Sequence, residues 1–123
     1  MTYFCSPRPN LFPARRPWYM DDALDKLQKI RNEVNALNPS DENAHRLELS
    51  IREAIRLIRK AEKIDKPFRE KCVQDLDYEI IHYLHQNYRK AVTKGEKNIE
   101  FNRARQGAVL AINRTIHRML NGK

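Results

Sequence analysis

Apolar residues recur along most of this chain in alternating steps of three and four, the spacing that places side chains on one face of an α-helix. The first two series are Met20, Ala23, Leu27, Ile30, Val34 and Leu37, then Ala44, Leu47, Ile51, Ala54, Ile58 and Ala61. The sequence has no strand-like alternation of apolar and polar residues. The chain is therefore predicted to be all-α.

Helix-breaking residues divide this pattern into four helices. Asn38-Pro39-Ser40, Asp65-Lys66-Pro67 and Gly95 are typical of helix starts and ends. The expected helices span residues of about 20–37, 41–64, 67–93 and 98–121. Because the connections are short, consecutive helices are expected to be antiparallel, which gives a four-helix up-and-down bundle of two helical hairpins. Residues 20–123 are assigned to this single domain.

Residues 1–19 differ from the rest in composition. They contain four prolines, three arginines and no acidic residue, and this proline density excludes a regular helix. Their aromatic content is unlike that of a disordered tail. We expect an extended arm that packs on its own bundle or on a partner. The residues suited to these contacts are Phe12, Trp18 and Tyr19 for packing, and Arg15 and Arg16 for phosphates.

The net charge of +8 narrows the class of partner. A basic chain attracts nucleic acid, anionic membranes or acidic protein surfaces. Membranes are the weakest of these, since no apolar run could span a bilayer and the basic helix faces lack an opposed exposed apolar face. The expected partner is therefore DNA or RNA, or an acidic protein surface.

The second predicted helix carries the clearest basic pattern. Its five cations share an arc of roughly 100° on a helical wheel, opposite the apolar stripe. These cations are Arg52, Arg56, Arg59, Lys60 and Lys63. Such a band can track phosphates, and the competing interpretation is a solvated face paired with acids of neighbouring helices. The fourth helix adds three cations away from its apolar stripe, Arg103, Arg114 and Arg118.

On the third predicted helix, Tyr78, His82, His85 and Arg89 fall on one face. The face is open to three interpretations: a solvated surface, a contact surface for bases or protein, or a metal site. A zinc site needs three or four protein ligands, and the spacing indicates no third ligand. We therefore predict no metal and assign these four residues to partner binding.

Signatures of enzymes are missing from the sequence. Three glycines cannot build a phosphate-cradling loop or a dinucleotide fingerprint, and neither GxSxG nor HExxH occurs. No catalytic residue or cofactor is predicted. Cys5 and Cys72 form no disulfide framework, and the N-terminus lacks the apolar stretch of a signal peptide. The expected compartment is the cytoplasm, where both thiols stay reduced.

Two functions are compatible with these patterns. The first is a small, basic, non-enzymatic nucleic-acid-binding or nucleic-acid-associated regulatory protein that contacts phosphates with little sequence specificity. The alternative is a protein–protein adaptor or inhibitor that docks on a larger protein, such as one that processes nucleic acid, through the aromatic arm and a helix face. The apolar helix faces can pack against each other within one chain or between two chains. A homodimer is therefore compatible with both functions.

Overall fold

A computed structural model describes residues 18–121, and side chains from residue 22 onward. This part of the chain contains four helices and no strand, which confirms the all-α class. The helices are α1 (Trp18–Asn35), α2 (Asp41–Arg59), α3 (Lys66–Tyr78) and α4 (Lys94–Asn121). Directly after α3 the chain continues as a π-helical segment, Glu79–Tyr88.

Most of the predicted arm lies outside the described residues. This includes Phe12, Arg15 and Arg16, together with Cys5. The backbone of Trp18 and Tyr19 forms the first turn of α1, so this helix begins two residues before the predicted start, and the side chains of both residues lie outside the described part. Packing of the arm therefore stays a prediction.

Helices α2 and α3 begin at the boundaries that the sequence indicated, with Ser40 and Asp65 as their N-terminal caps. The Ser40 hydroxyl accepts a hydrogen bond from the backbone N–H of Asn43 at 3.0 Å. The Asp65 carboxylate accepts one from the N–H of Phe68 at 3.3 Å, and Pro67 lies in the first turn of α3. Each cap satisfies a backbone donor that the helix itself leaves unpaired.

Helix α4 begins at Lys94, four residues before the predicted start. The cause is a reciprocal cap: the Glu96 N–H donates to the Thr93 hydroxyl and the Thr93 N–H donates to the Glu96 carboxylate, both at 3.1 Å. The same carboxylate accepts from the N–H of Val92. Gly95 therefore lies in the first turn of α4 and does not end the preceding helix.

Helix α2 ends at Arg59, five residues before the predicted end. Lys60 is its C-terminal cap, and the chain then runs through a connection in which Ala61 and Ile64 are buried. The guanidinium of Arg69 donates to the Ala61 carbonyl at 3.0 Å and so fixes this connection against α3. Ala61 continued the apolar spacing of the helix, which is why the sequence pattern placed the end too late.

The core is formed by apolar side chains from all four helices, with Leu27, Leu47, Leu76 and Phe101 fully buried. Helix α4 contacts α1, α2 and α3, whereas α1 and α3 do not meet within residues 18–121. The central position of α4 is consistent with its small buried residues, Ala104, Ala108 and Ala111, which allow close approach of neighbouring helices.

The π-helical segment replaces the regular end that was predicted for the third helix. Four buried residues are spaced four apart across this junction: Leu76 in α3, then Ile80, Leu84 and Tyr88 in the segment. In an α-helix, four residues overshoot a full turn by about 40°. A wider helix with i→i+5 hydrogen bonds has more residues per turn, so the drift in the π-helical segment opposes the drift in α3 and the four side chains stay on the core side. Tyr88 was not part of the predicted apolar stripe.

Candidate nucleic-acid interface

A basic groove, called here the α2–α3 groove, runs between these two helices. It consists of two adjoining depressions of about 590 and 440 Å³, which share Arg59 and Asp77. The cations that line it are Arg52, Arg56, Arg59, Lys60, Lys66 and Arg69. Glu70 and Asp77 are the lining carboxylates, so cations outnumber acids by six to two. The groove therefore presents a local excess of positive charge to solvent.

Arg52 and Arg56 are held by carboxylates of their own helix. Arg52 Nη2 lies 2.8 Å from Glu48 Oε2, and Arg56 forms a bidentate pair with Glu53. The hydrogen bonds from Arg56 lower the pKa of the Glu53 carboxyl more than its slight burial raises it. Both arginine side chains are about half exposed, at 53% and 47%. The Arg56–Glu53 pair is exposed on both sides and contributes little to stability, so an incoming phosphate can compete for the Arg56 guanidinium.

The next three cations lack such partners. Within residues 22–121, the ion pairs of the structure do not include Arg59, Lys60 or Lys66. Arg69 donates one hydrogen bond to the Ala61 carbonyl, and a guanidinium has five N–H donors, so its other donors stay available. These four side chains can therefore meet an anion without first breaking an ion pair to a described carboxylate.

The groove includes only part of the predicted basic band. Four of the five cations in the predicted band line the groove. The fifth, Lys63, lies in the connection after α2 and is exposed. Lys66 and Arg69, which the sequence analysis missed, complete the opposite wall. Their contribution depends on the packing of α3 against α2, and a single-helix wheel contains no signal for it.

The three predicted α4 cations lie elsewhere. Arg114 pairs with Asp75 at 2.6 Å, and Arg118 pairs with Asp65 at 2.7 Å. The Arg118 guanidinium also stacks over the Phe68 ring, 4.5 Å from its centroid. These contacts join α4 to α3 and its cap. The remaining cation, Arg103, pairs with Glu100 on its own helix at 3.3 Å. The structure therefore does not bring the α4 cations to the α2–α3 groove.

The predicted Tyr78, His82, His85 and Arg89 face is divided between two environments: Tyr78 and His82 pair with each other, whereas His85 and Arg89 line one depression together. Tyr78 and His82 stack with centroids 4.8 Å apart and planes 15° apart, and the Tyr83 ring stands edge-on to both. His85 Nε2 instead lies 2.8 Å from Glu48 Oε1 on α2. Arg89 lines a depression of about 340 Å³ near the start of α2. The two histidines therefore have separate partners.

Glu48 connects the groove to the π-helical segment. Its carboxylate accepts from Arg52 through one oxygen and contacts His85 through the other. Burial raises the pKa of Glu48, but the hydrogen bonds from Arg52 and His85 outweigh this and hold the pKa below its ordinary value. An ionised Glu48 therefore orients one groove cation and anchors the π-helical segment to α2.

A second surface feature is an apolar depression of about 670 Å³ over the C-terminal half of α4. Leu110 and Leu120 line it and are 60% and 55% exposed, and the Phe68 ring lies at its α3 side. Arg31 of α1 stands on the opposite side and donates to Asn113 at 3.1 Å. This surface is chemically distinct from the α2–α3 groove.

Comparison of the chain with known protein families, curated proteins and solved structures gives no match, so function is inferred from the side chains themselves. None of the described helices has the combination of length and apolarity that crossing a bilayer requires. Within the described residues, no three His, Cys, Asp or Glu side chains are arranged to hold a metal ion.

Proposed function

We propose that this chain is a small, non-enzymatic nucleic-acid-binding protein whose α2–α3 groove contacts phosphates. The observation that carries the proposal is the convergence of six cations from α2, its C-terminal cap and α3 on two adjoining depressions. Each phosphate neutralised there releases condensed counterions, which favours binding at low salt. Four of the six cations are arginines, which can bind phosphate oxygens in a bidentate manner.

Contacts of this kind carry little sequence information. Phosphates fix the position of a nucleic acid on a protein, whereas sequence is read by groups that reach the base edges. The six cations line the groove between two packed helices, and this position is suited to the phosphate backbone of a nucleic acid. Weakly sequence-specific binding follows, in a regulatory or nucleic-acid-associated role.

The proposal includes an up-and-down four-helix bundle as the scaffold. Two pairs of contacts support antiparallel α1 and α4: Arg31 meets Asn113, and Arg105 meets Asn35 four residues further along α1. The short connections after α2 and after the π-helical segment support the same alternation of direction.

The test is fluorescence anisotropy of labelled DNA and RNA, single- and double-stranded, titrated with protein at low and at physiological salt. We expect micromolar binding that weakens about tenfold or more over that range. Replacing Arg52, Arg56 and Arg59 together with alanine should abolish it, or reduce the slope of log affinity against log salt by about 2 to 3.

A matched control removes three positive charges away from the groove. Arg46, Lys94 and Arg103 do not line the groove: Arg46 and Arg103 each pair with an acid of their own helix, and Lys94 is an exposed residue at the start of α4. The triple alanine variant of these residues should bind nearly as the unmodified chain does. Equal loss in both triple variants would assign the binding to net charge, and no binding at low salt would remove the proposal.

A second candidate function, a protein–protein adaptor or inhibitor, is favoured by the apolar depression on α4. An interface centred on Leu110 would tolerate salt, because apolar contacts are not screened. In co-purification at high salt, the Leu110→Arg variant should no longer bind such a partner, whereas the Arg59→Ala variant should still bind it. The reverse pattern would exclude the depression as the contact surface.

A further inference from the structure

We propose that the α2–α3 groove takes single-stranded nucleic acid, whose bases stack on the neighbouring Tyr78 and His82 rings. This inference rests on the proposed function and names the class of ligand for the same site. DNA and RNA strands share the chemistry that would be recognised, a flexible phosphate backbone with unpaired bases.

The stacked pair begins at the residue that follows the groove lining along the chain. Asp77 lines both depressions, and Tyr78 is the next residue along α3. At about 100° per residue, Tyr78 lies about 200° from the buried Leu76 and therefore on the outer crest of the helix. Its side chain is correspondingly exposed, at 52%. A strand with its phosphates in the groove could therefore turn its bases across this crest.

The rings are arranged before any ligand binds. Tyr83 is partly buried against the core, and its ring stands at 86° to Tyr78 and 74° to His82. This edge-on contact supports the parallel Tyr78–His82 pair from one side. Fixed aromatic side chains lose little conformational entropy when a base stacks on them, which favours their use as a platform.

A duplex cannot use both features together. Its bases are paired and stacked on one another, so their faces are not available to Tyr78 or His82. A single strand can place its phosphates against the cations and its bases against the rings. Stacking of this kind tolerates any base, which agrees with the weak sequence specificity proposed for the groove.

The test compares one strand with its own duplex at the same salt, in DNA and in RNA. The unmodified chain should bind the single strand about tenfold more tightly than the duplex. The Tyr78→Ala, His82→Ala double variant should lose about tenfold for the single strand and nothing for the duplex, with an unchanged salt slope. Tyr78→Phe, which keeps the ring, should bind as the unmodified chain does.

A strand of abasic sites, which keeps the phosphates and lacks the bases, serves as an independent probe. It should bind the unmodified chain as weakly as a normal strand binds the double variant. Equal affinity of the unmodified chain for strand and duplex would overturn the inference, as would equal binding of normal and abasic strands. In both cases the groove would still bind phosphates, whereas failure of the proposed function would appear as no binding to either form.

Discussion

The carboxyl group of Glu79 lies against Gly107, in the space that a Cβ atom at position 107 would occupy. Glu79 begins the π-helical segment and Gly107 lies in the middle of α4, so this contact joins the two elements. Burial and, to a smaller extent, the nearby Asp75 carboxylate raise the pKa of Glu79 to about 7, and Arg114 offsets only a smaller part of this increase. Glu79 Oε1 is buried and has no hydrogen-bond partner among the described residues.

Stability should fall as pH rises through the range in which Glu79 ionises. Since its pKa is about 7 in the folded state and 4.5 is the ordinary value, the folded state binds more protons between these limits. The stability contribution of the protonated carboxyl is therefore complete below pH 4.5 and is lost by about pH 7. Urea unfolding at a series of pH values measures this loss.

The variant Glu79→Gln isolates this group, because it keeps the shape of the protonated carboxyl and cannot ionise. It should be more stable than the unmodified chain above pH 7, with a flatter profile between pH 5 and 7. Glu48, Glu53, Asp65 and Glu96 have lowered pKa values, so their contributions change at more acidic pH. Identical pH profiles for the two proteins would contradict the assignment to Glu79.

Gly107→Ala should push the Glu79 carboxyl into solvent. The atoms that a Cβ would meet belong to the end of a flexible side chain, so this movement costs little. Alanine is also favoured over glycine within a helix by up to about 1 kcal/mol. We expect unchanged or slightly higher stability in urea unfolding, together with loss of the pH dependence assigned to Glu79.

Gly95→Ala is the matched control for this substitution. A Cβ atom at position 95 would meet only the Thr93 hydroxyl, at 4.0 Å, so the pH profile should remain that of the unmodified chain. A Gly107→Ala variant that keeps the full pH dependence would show that the carboxyl stays buried.

Arg114→Ala should destabilise the protein by about 1 kcal/mol, because it removes an interhelical ion pair from a half-buried Asp75. Asp75 keeps its pair with Lys71 on α3, which limits the loss. Affinity for nucleic acid should not change, since Arg114 lies outside the groove. Urea unfolding and anisotropy on the same preparation measure both effects.

The corresponding control is Arg46→Ala, which breaks an exposed pair with Glu42 within α2 and should cost less than about 0.5 kcal/mol. If the Arg114→Ala variant had normal stability and bound nucleic acid more weakly, Arg114 would contact phosphates, as the sequence analysis predicted.

Tyr88→Phe should remove a hydrogen bond between the π-helical segment and the start of α2. The Tyr88 hydroxyl donates to Asp41 Oδ1 at 2.7 Å, and a bond of this kind contributes about 1 kcal/mol. Burial, together with the hydrogen bond to the Asp41 carboxylate, raises the pKa of Tyr88 to about 12. Spectrophotometric titration should therefore show one tyrosine ionising late, and that step should be missing from the variant.

Local signals made most of the helices predictable from sequence. Ser40 was recognisable as a cap and Asp65-Lys66-Pro67 as a boundary. The apolar spacing identified part of the buried faces of α1 and α2 but missed Leu24, Ile55 and Leu57. The late end predicted for α2 followed from Ala61, which continues the apolar spacing of the helix although it is buried in the connection after it. The early start of α4 was encoded in the Thr93–Glu96 cap and was overlooked.

The candidate site was predictable only from its α2 side. The spacing of Arg52, Arg56 and Arg59 is a property of one helix and can be read from a wheel. The contribution of Lys66 and Arg69 depends on how two helices pack, and the positions of Arg114 and Arg118 depend on acids of another helix. Such pairings between elements are set by tertiary contacts that no single-helix periodicity contains.

The constant step of four through Leu76, Ile80, Leu84 and Tyr88 also bears on how this chain can change in length. Deleting one residue between any two of these positions would shift every later side chain of the segment by one place, and Tyr88 would leave its contact with Asp41. Replacing an exposed residue such as Ile81 would leave the spacing intact. In a library of variants, this stretch should therefore accept many substitutions on its outer face and almost no single-residue insertion or deletion.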